Sequence, residues 1–293
     1  MTLKAAYEKG IRQLEQSGIA EYELDAWYLL EHVTGITWAL YLLDSKKELD
    51  AAQETSYSAL LEKRTHRIPL QHLTGVQEFM GLDFQVNEHV LIPRQDTEIL
   101  VETALEILKD IWQSYEEKTP KMNVLDMCTG SGCIVLSILK LFGHPLSGIG
   151  VDISGNALET ARKNAENLNL EAVFLQSDLF ERVEGQFSML ISNPPYIRSA
   201  QIQTLQKEVK EYEPVMALDG GEDGLHFYRK IIQECRQYLI SGGYLLFEIG
   251  YDQASEVAKL MWNAGFRSIA VKKDLAGLDR VVSGRYDDRI EAR

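Results

Sequence analysis

The sequence predicts an α/β protein, a largely parallel sheet covered by helices and preceded by a small helical bundle and a β-hairpin, and three patterns predict it. Apolar residues recur at helical spacing over residues 1–66, and short alternating runs punctuated by glycine and proline occupy residues 67–92. Beyond them, apolar strand-like runs alternate with helical stretches, the arrangement of a parallel sheet with helices on both faces. At 293 residues the chain is longer than one core usually grows, so two domains are expected. The expected division is a helical domain at 1–66, a hairpin linker at 67–92 and the main α/β domain at 93–293.

In the first segment Leu24, Trp27, Tyr28 and Leu30 form a helical apolar stripe, and Gly18 and Gly35 break the pattern. The aromatic residues there read as core, because helix faces need large apolar groups to pack. Pro69, Gly75 and Gly81 then separate short runs, of which 82–86 alternates with the period of a strand. Next, Pro93-Arg94-Gln95-Asp96-Thr97-Glu98 opens a helix over 99–112, with proline and capping residues where a helix start favours them. Strands are expected at 123–126, 148–152, 172–176, 187–192 and 244–249. Residues 266–273 and 280–283, joined by a short turn, read as an antiparallel pair closing the sheet.

A composition of 45% hydrophobic and 25% charged residues is that of an ordinary globular protein. The formal net charge of -14 argues against a grip on long nucleic acid through its phosphates, which draws on clustered Lys and Arg. A protein or small-molecule substrate fits better, and no stable nucleic-acid partner is expected. Cys128, Cys133 and Cys235 form no CxxC pair and read as reduced thiols of a cytoplasmic protein. The six histidines lack metal or triad spacing, so no metal is expected. No stretch of eighteen apolar residues occurs, and the first residues are amphipathic, so no membrane partner is expected either.

Three signals carry chemistry. The first is Val124-Leu125-Asp126-Met127-Cys128-Thr129-Gly130-Ser131-Gly132-Cys133-Ile134, an apolar strand running into a glycine-rich turn and then an apolar helix. Glycines let a ligand approach the backbone, and a helix start offers free N–H groups to an anion. The second is Gly150-Val151-Asp152, a strand ending in an acid twenty residues beyond Gly132. At that distance an acid in a doubly wound fold accepts hydrogen bonds from the ribose of an adenosine-containing cofactor. The dinucleotide fingerprint would need glycine at 128 and near 133, where this chain has cysteine, so a pyrophosphate cradle is disfavoured.

The third signal decides the class: Asn193-Pro194-Pro195-Tyr196 directly follows the expected strand at 187–192, at the edge where open α/β sheets bind ligands. The Asn193 side-chain oxygen can accept from one N–H of a planar NH2 group, and the Pro194 carbonyl can accept from the other. Prolines fix the backbone and add no competing donor. Tyr196 can pack its ring on the flat face of an amide or a base. Held by both hydrogens, a planar nitrogen presents its delocalised lone pair to an incoming methyl group.

In this order the signals resemble the class I S-adenosylmethionine methyltransferases carrying Asn-Pro-Pro-Tyr, which include adenine-N6 enzymes and protein-glutamine N5 enzymes. Over essentially the whole chain the sequence is similar to the release-factor glutamine methyltransferases, the PrmC/HemK family. The resemblance lies in Leu24-Asp25-Ala26-Trp27-Tyr28-Leu29-Leu30, Pro69-Leu70-Gln71-His72-Leu73-Thr74-Gly75 and Ile92-Pro93-Arg94-Gln95-Asp96-Thr97-Glu98. It implies a Rossmann-like methyltransferase sheet and a helical N-terminal domain that recognises substrate. The implied reaction is methylation of the Gly-Gly-Gln glutamine of class 1 peptide-chain release factors at N5, leaving S-adenosylhomocysteine. By that resemblance Cys128, Thr129, Gly130, Ser131 and Gly132 would hold the methionine part of the cofactor, Asp152 its ribose, and Leu179 would lie near the adenine. Asn193, Pro194, Pro195 and Tyr196 would hold the glutamine amide and carry the catalysis, with Asn193 also bordering the cofactor. The chain departs from the family at Cys128, where glycine is frequent, and at Leu179, where an aromatic residue is frequent. The alternatives are an adenine-N6 methyltransferase acting on DNA or RNA and a non-catalytic binder of translation factors.

Overall fold

Five helices come first: α1 (Leu3–Gln16), α2 (Tyr22–Thr34), α3 (Trp38–Leu43), α4 (Ala51–Thr65) and α5 (Leu70–Thr74). A hairpin follows, β1 (Val76–Phe79) and β2 (Leu82–Gln85), and then α6 (Gln95–Gln113). From there strands and helices alternate: β3 (Met122–Met127), α7 (Cys133–Phe142), β4 (Leu146–Asp152), α8 (Gly155–Leu168), β5 (Val173–Gln176) and β6 (Phe187–Ser192). The chain continues through α9 (Lys207–Tyr212), α10 (His226–Glu234), β7 (Leu239–Glu248), α11 (Ala254–Asn263), β8 (Phe266–Lys273) and β9 (Asp279–Tyr286). The computed structural model describes residues 1–114 and 122–286; positions 115–121 and the last seven positions of the expected α/β domain lie outside the described residues. No helix among the described residues is long and apolar enough to cross a membrane.

The chain divides into two compact units, Met1–Val76 with Gln206–Tyr212, and Gln77–Leu205 with Glu213–Arg293. In the first, Thr2 caps α1 by accepting from Ala5 N, and Asp50 and Gln53 form a reciprocal capping box at the start of α4. Gly10 allows α1 to approach α4 so closely that a Cβ there would lie 2.1 Å from the Tyr57 hydroxyl. The expected stripe on α2 needs correction. Trp27 and Leu30 are buried, but Leu24 and Tyr28 are 50% and 47% exposed, and the inward face is Asp25, Ala26, Leu29 and Leu30. Arg64 on α4 explains the turn of the helix: its Nε donates to Asp25 Oδ2 at 2.7 Å, drawing that carboxylate inside. Arg64 also meets Glu208 of α9 at 3.3 Å, which ties this short helix to the bundle.

The second unit holds a seven-stranded sheet in the order β5-β4-β3-β6-β7-β9-β8. Neighbours from β5 to β7 are parallel, and β9 runs antiparallel to both β7 and β8. Alternation along each strand sends side chains to opposite faces. Leu125, Leu190, Leu245 and Phe247 enter one core cluster, together with Tyr228 of α10 and Val257 of α11. Their neighbours Val124, Met189, Ile191 and Leu246 enter the other, with Leu100 of α6 and Val135 of α7. Every residue of β6 is buried, as expected for a central strand. Strand order reverses around β3, so a crevice opens beyond the carboxyl ends of β3, β4 and β6.

Candidate active site

A cavity of about 500 Å3 lies in that crevice. Its floor is the turn between β3 and α7, where Cys128, Gly130 and Gly132 adopt left-handed φ values of 62°, 55° and 79°. Thr129 N donates to Val151 O at 2.9 Å, and Gly132 N to Thr129 O at 2.8 Å, so the turn is fastened at both ends. Thr129 Oγ1 also donates to Asp126 Oδ2 at 2.6 Å, and Val135 N approaches the same oxygen at 3.3 Å. Gly150 is required by close packing, because a Cβ there would lie 2.8 Å from both Thr129 Oγ1 and the Phe174 ring. Asn164 of α8 pins the turn from outside, donating to Ser131 O at 2.9 Å while accepting from Gln85 N of β2 at 2.7 Å.

Asp152 stands at the end of β4 with one carboxylate oxygen accepting from Gly130 N and the other from Ser154 N, both at 2.9 Å. An ionised carboxylate has about four lone-pair sites, so acceptor capacity remains for ligand hydroxyls. Burial raises its pKa, against the N–H groups of Ser154 and Gly130 that lower it. Ser131 Oγ is buried without a hydrogen-bond partner among the described residues, and Ser131 lines the cavity. A polar ligand with acceptors or hydroxyls therefore fits this floor better than an apolar one. Leu179, in left-handed conformation at φ 47°, borders the same space.

Asp126 is fully buried behind the turn, and burial raises its pKa to about 7, partly opposed by the bonds from Thr129 and Val135. A carboxyl whose pKa is higher folded than unfolded contributes stability below its unfolded value, near 4, and loses that contribution as pH rises through about 7. Asp126→Asn keeps the acceptor oxygen but does not titrate. Thermal unfolding of the two proteins is expected to favour the native residue more at pH 5 than at pH 8, whereas a difference independent of pH would mean that Asp126 stays ionised throughout.

Asn193 follows β6 and borders the cavity, as does Pro195. Its Nδ2 donates to Thr97 Oγ1, in the first turn of α6, at 3.3 Å. Pro194 and Tyr196 do not line the cavity, and neither does Gly132, which caps α7. Tyr196 packs its ring against the core, its hydroxyl donates to Glu248 Oε1 at 3.2 Å, and its carbonyl accepts from Gln253 Nε2 at 3.0 Å. A buried phenol takes a partner for its hydroxyl, and the partner here is the last residue of β7. Arg94 lines the cavity and forms an ion pair with buried Glu213, whose second oxygen accepts from Ile92 N at 3.3 Å. Glu98 faces elsewhere, accepting from Met80 N at 2.6 Å.

Residues 5–75 match the PrmC N-terminal domain and residues 106–222 the methyltransferase small domain. The release factor glutamine methyltransferase of Agrobacterium fabrum is 36% identical over 286 residues, covering 97% of each chain. That of Clostridium acetobutylicum is 39% identical over 287 residues, covering 96% of this chain and 98% of its own. The chain belongs to the release factor glutamine methyltransferase family. A solved methyltransferase from Pyrococcus furiosus, 18% identical with a TM-score of 0.53 over 77% of this chain and 99% of its own, shares the fold.

Cys128 holds a left-handed φ of 62°, a conformation that a residue without a Cβ adopts at lower cost. Sequence patterning assigns Thr97 only a helix-start role and Glu248 only that of a strand-end acid facing the cleft or the solvent, and it does not mark the loop around Gly220. That loop clasps the Asn-Pro-Pro-Tyr segment: Ile197 N donates to Leu218 O at 3.0 Å and Gly220 N to Ile197 O at 2.8 Å. A Cβ on Gly220 would lie 2.7 Å from Tyr196 Cα and 2.8 Å from Pro195 O, both backbone atoms that have little room to yield. Gly220→Ala is expected to destabilise the protein by about 1–3 kcal/mol, the usual range for overpacking. Chemical denaturation would measure it, and an unchanged midpoint would show that the loop relaxes freely.

Proposed function

We propose that the protein transfers the methyl group of S-adenosylmethionine to the side-chain amide nitrogen, N5, of the glutamine in the Gly-Gly-Gln motif of class 1 peptide-chain release factors. The observation that carries this reading is Asn193 at the edge of the cavity, with its NH2 group engaged by Thr97. That engagement leaves the Asn193 oxygen free to accept a hydrogen from the acceptor amide. Full-length similarity to proteins named release factor glutamine methyltransferase selects the substrate.

The floor of the cavity fits the cofactor. The turn from Cys128 to Gly132 offers backbone and the Ser131 hydroxyl to the methionine portion, Asp152 offers acceptors to the ribose, and Leu179 offers an apolar surface to the adenine. When bound, S-adenosylmethionine supplies a methyl carbon activated by a sulfonium. The chain's own residues supply orientation. Asn193 Oδ1 at the cavity edge accepts one amide hydrogen, and the carbonyl of the adjoining Pro194, a residue outside the cavity lining, is assigned the other, so the nitrogen lone pair points along one direction. Pro194 and Pro195 hold that backbone rigid. Tyr196 anchors the turn through Glu248 and Gln253. Such positioning contributes about 7–11 kcal/mol in favourable cases. No strong base is needed, because a methylated amide nitrogen readily releases its extra proton to solvent.

Labelled S-adenosylmethionine mixed with a purified class 1 release factor is expected to label the native factor and to leave a Gly-Gly-Ala variant unlabelled. Equal labelling of the two factors would reject the assigned acceptor, and label entering DNA or RNA alone would favour adenine-N6 methylation instead.

A further inference from the structure

We propose that Glu248 is a positioning residue that fixes which end of the Asn193 carboxamide faces the acceptor amide, acting through the Thr97 hydroxyl. This rests on the reading of Asn193 given above. Glu248 ends β7 at 2% exposure, and its carboxyl forms no ion pair among the described residues. Oε1 accepts from the Tyr196 hydroxyl at 3.2 Å. Oε2 is buried without a hydrogen-bond partner among the described residues, and the neighbouring Thr97 hydroxyl acts to lower the carboxyl's pKa. A buried carboxylate so thinly satisfied is an expensive feature to place beside a binding site. Its effect lies in the direction it imposes on its neighbours.

The direction follows from hydrogen counting. An ionised carboxylate only accepts, so on this proposal the single hydrogen of the Thr97 hydroxyl turns toward Glu248. The Thr97 oxygen then presents lone pairs to Asn193 and accepts from Nδ2, as the 3.3 Å contact shows. Asn193 therefore turns its oxygen to the other side, where an amide N–H can be received. Swap the carboxylate for a group that donates, and the order inverts. Thr97 would accept from residue 248 and donate to Asn193 Oδ1, and the carboxamide would turn its NH2 group toward the acceptor N–H, donor against donor. The two flips of an asparagine are alike in shape, so only such a chain of donors and acceptors can distinguish them.

The same chain has a proton-dependent signature. Burial raises the Glu248 pKa to about 6, opposed by the Thr97 and Tyr196 hydrogen bonds and by the charge of Arg280. The other groups facing it are Asp96 of α6, whose charge raises that pKa, the Cys133 thiol of α7, and the Tyr228 hydroxyl of α10, which donates to the Glu248 backbone oxygen at 2.8 Å. Arg280 itself is bound to Asp274 at 2.9 Å and Asp96 at 3.1 Å, so it lends Glu248 only a distant charge. Below about pH 6 a protonated Glu248 can donate to Thr97, and the productive orientation of Asn193 is lost.

The test measures methylation of a native release factor by the full-length protein and its Glu248→Gln variant, with cofactor affinity measured in parallel by calorimetry. Glu248→Gln is expected to lower kcat by about tenfold or more, the scale of one hydrogen bond to a charged group, with cofactor Kd within about twofold. The native enzyme should lose kcat as pH falls through about 6, and the variant should lack that limb. Thr97→Val should lower kcat similarly, Thr97→Ser should recover most of the loss, and the Glu248→Gln/Thr97→Val double variant should be no worse than the poorer single one. Native kcat and an unchanged pH limb in Glu248→Gln would overturn the proposal, as would additive losses in the double variant. Absence of methylation by the native protein would instead overturn the proposed function itself.

Discussion

Replacing Asn193 by alanine is expected to lower kcat for release-factor methylation by at least about a hundredfold, the scale seen when one preorganised hydrogen-bonding group is removed from a reacting centre. The reason is geometric. Asn193 follows β6, a strand buried along its whole length, so its main chain is among the best-fixed in the protein. Truncation removes the acceptor for one amide hydrogen while leaving Pro194, Pro195 and the tyrosine anchor in place. The acceptor amide would then be held on one side only and would rotate out of line with the departing sulfur. Cofactor contacts are proposed to come mainly from β3, β4 and their turns, so cofactor Kd should change by less than about threefold, a fraction of one hydrogen bond. Asn193→Asp separates two parts of the effect: it keeps an acceptor but loses the NH2 group that binds Thr97. It should fall between the native enzyme and the alanine variant. Steady-state kinetics with labelled cofactor reads the first quantity and calorimetry the second. Full turnover in Asn193→Ala would remove this residue from the mechanism.

The parts of this arrangement visible in the sequence are those encoded locally. The apolar run at 187–192 is β6, and 266–273 is β8, because hydrophobic periodicity and flanking turn residues specify short strands without help from distant residues. The expected strand at 244–249 corresponds to a longer one, Leu239–Glu248. Its first half was hidden by Ser241-Gly242-Gly243, where φ at Gly242 is 83° and pairing with β6 shifts register between Phe187 and Met189. The inward face of α2 was misjudged because hydrophobicity alone does not anticipate a buried Asp25, whose place is set by Arg64 thirty-nine positions away. The joining of residues 206–212 to the helical unit was equally unreadable, since Glu208 and Arg64 are 144 positions apart.

The same distinction runs through the candidate site. Asn193, Asp152 and the glycine turn are each marked by their place at the end of a strand, and the structure brings them to one cavity. Thr97 read as an ordinary residue of a helix start, and Glu248 as a strand-end acid that would face the cleft or the solvent. Neither reading anticipated that α6 and β7 converge behind Asn193 and Tyr196, which is a property of sheet order. The usable clue was a single one: an acidic residue ending the apolar run 244–247, where burial demands a partner.

Replacing Asp152 by alanine carries the second large expected effect, and it falls on binding. On the proposed reading its carboxylate receives ribose hydroxyls, and hydrogen bonds to a charged acceptor are worth about 1.5–3 kcal/mol each. Cofactor Kd should therefore rise by between about tenfold and a hundredfold for one such bond, and further for two. The structure adds a second route to the same loss. Asp152 also accepts from Gly130 N and Ser154 N, so its removal unties the turn that forms the cavity floor. Asp152→Asn distinguishes the routes. It retains one oxygen for either N–H but places an NH2 group against the other, so the turn is disturbed about as much while half the acceptor capacity for hydroxyls survives. If ribose recognition dominates, the asparagine variant should bind the cofactor better than the alanine variant. If loop order dominates, both should bind equally poorly and both should bind S-adenosylhomocysteine and free methionine with the same proportional loss. At saturating cofactor, kcat should recover more fully in these variants than in Asn193→Ala, because Asp152 stands at the end of β4 and the acceptor amide is held at the end of β6. Native cofactor affinity in Asp152→Ala would place the ribose elsewhere in the cavity and take with it the assignment of the turn from Cys128 to Gly132 as the methionine site.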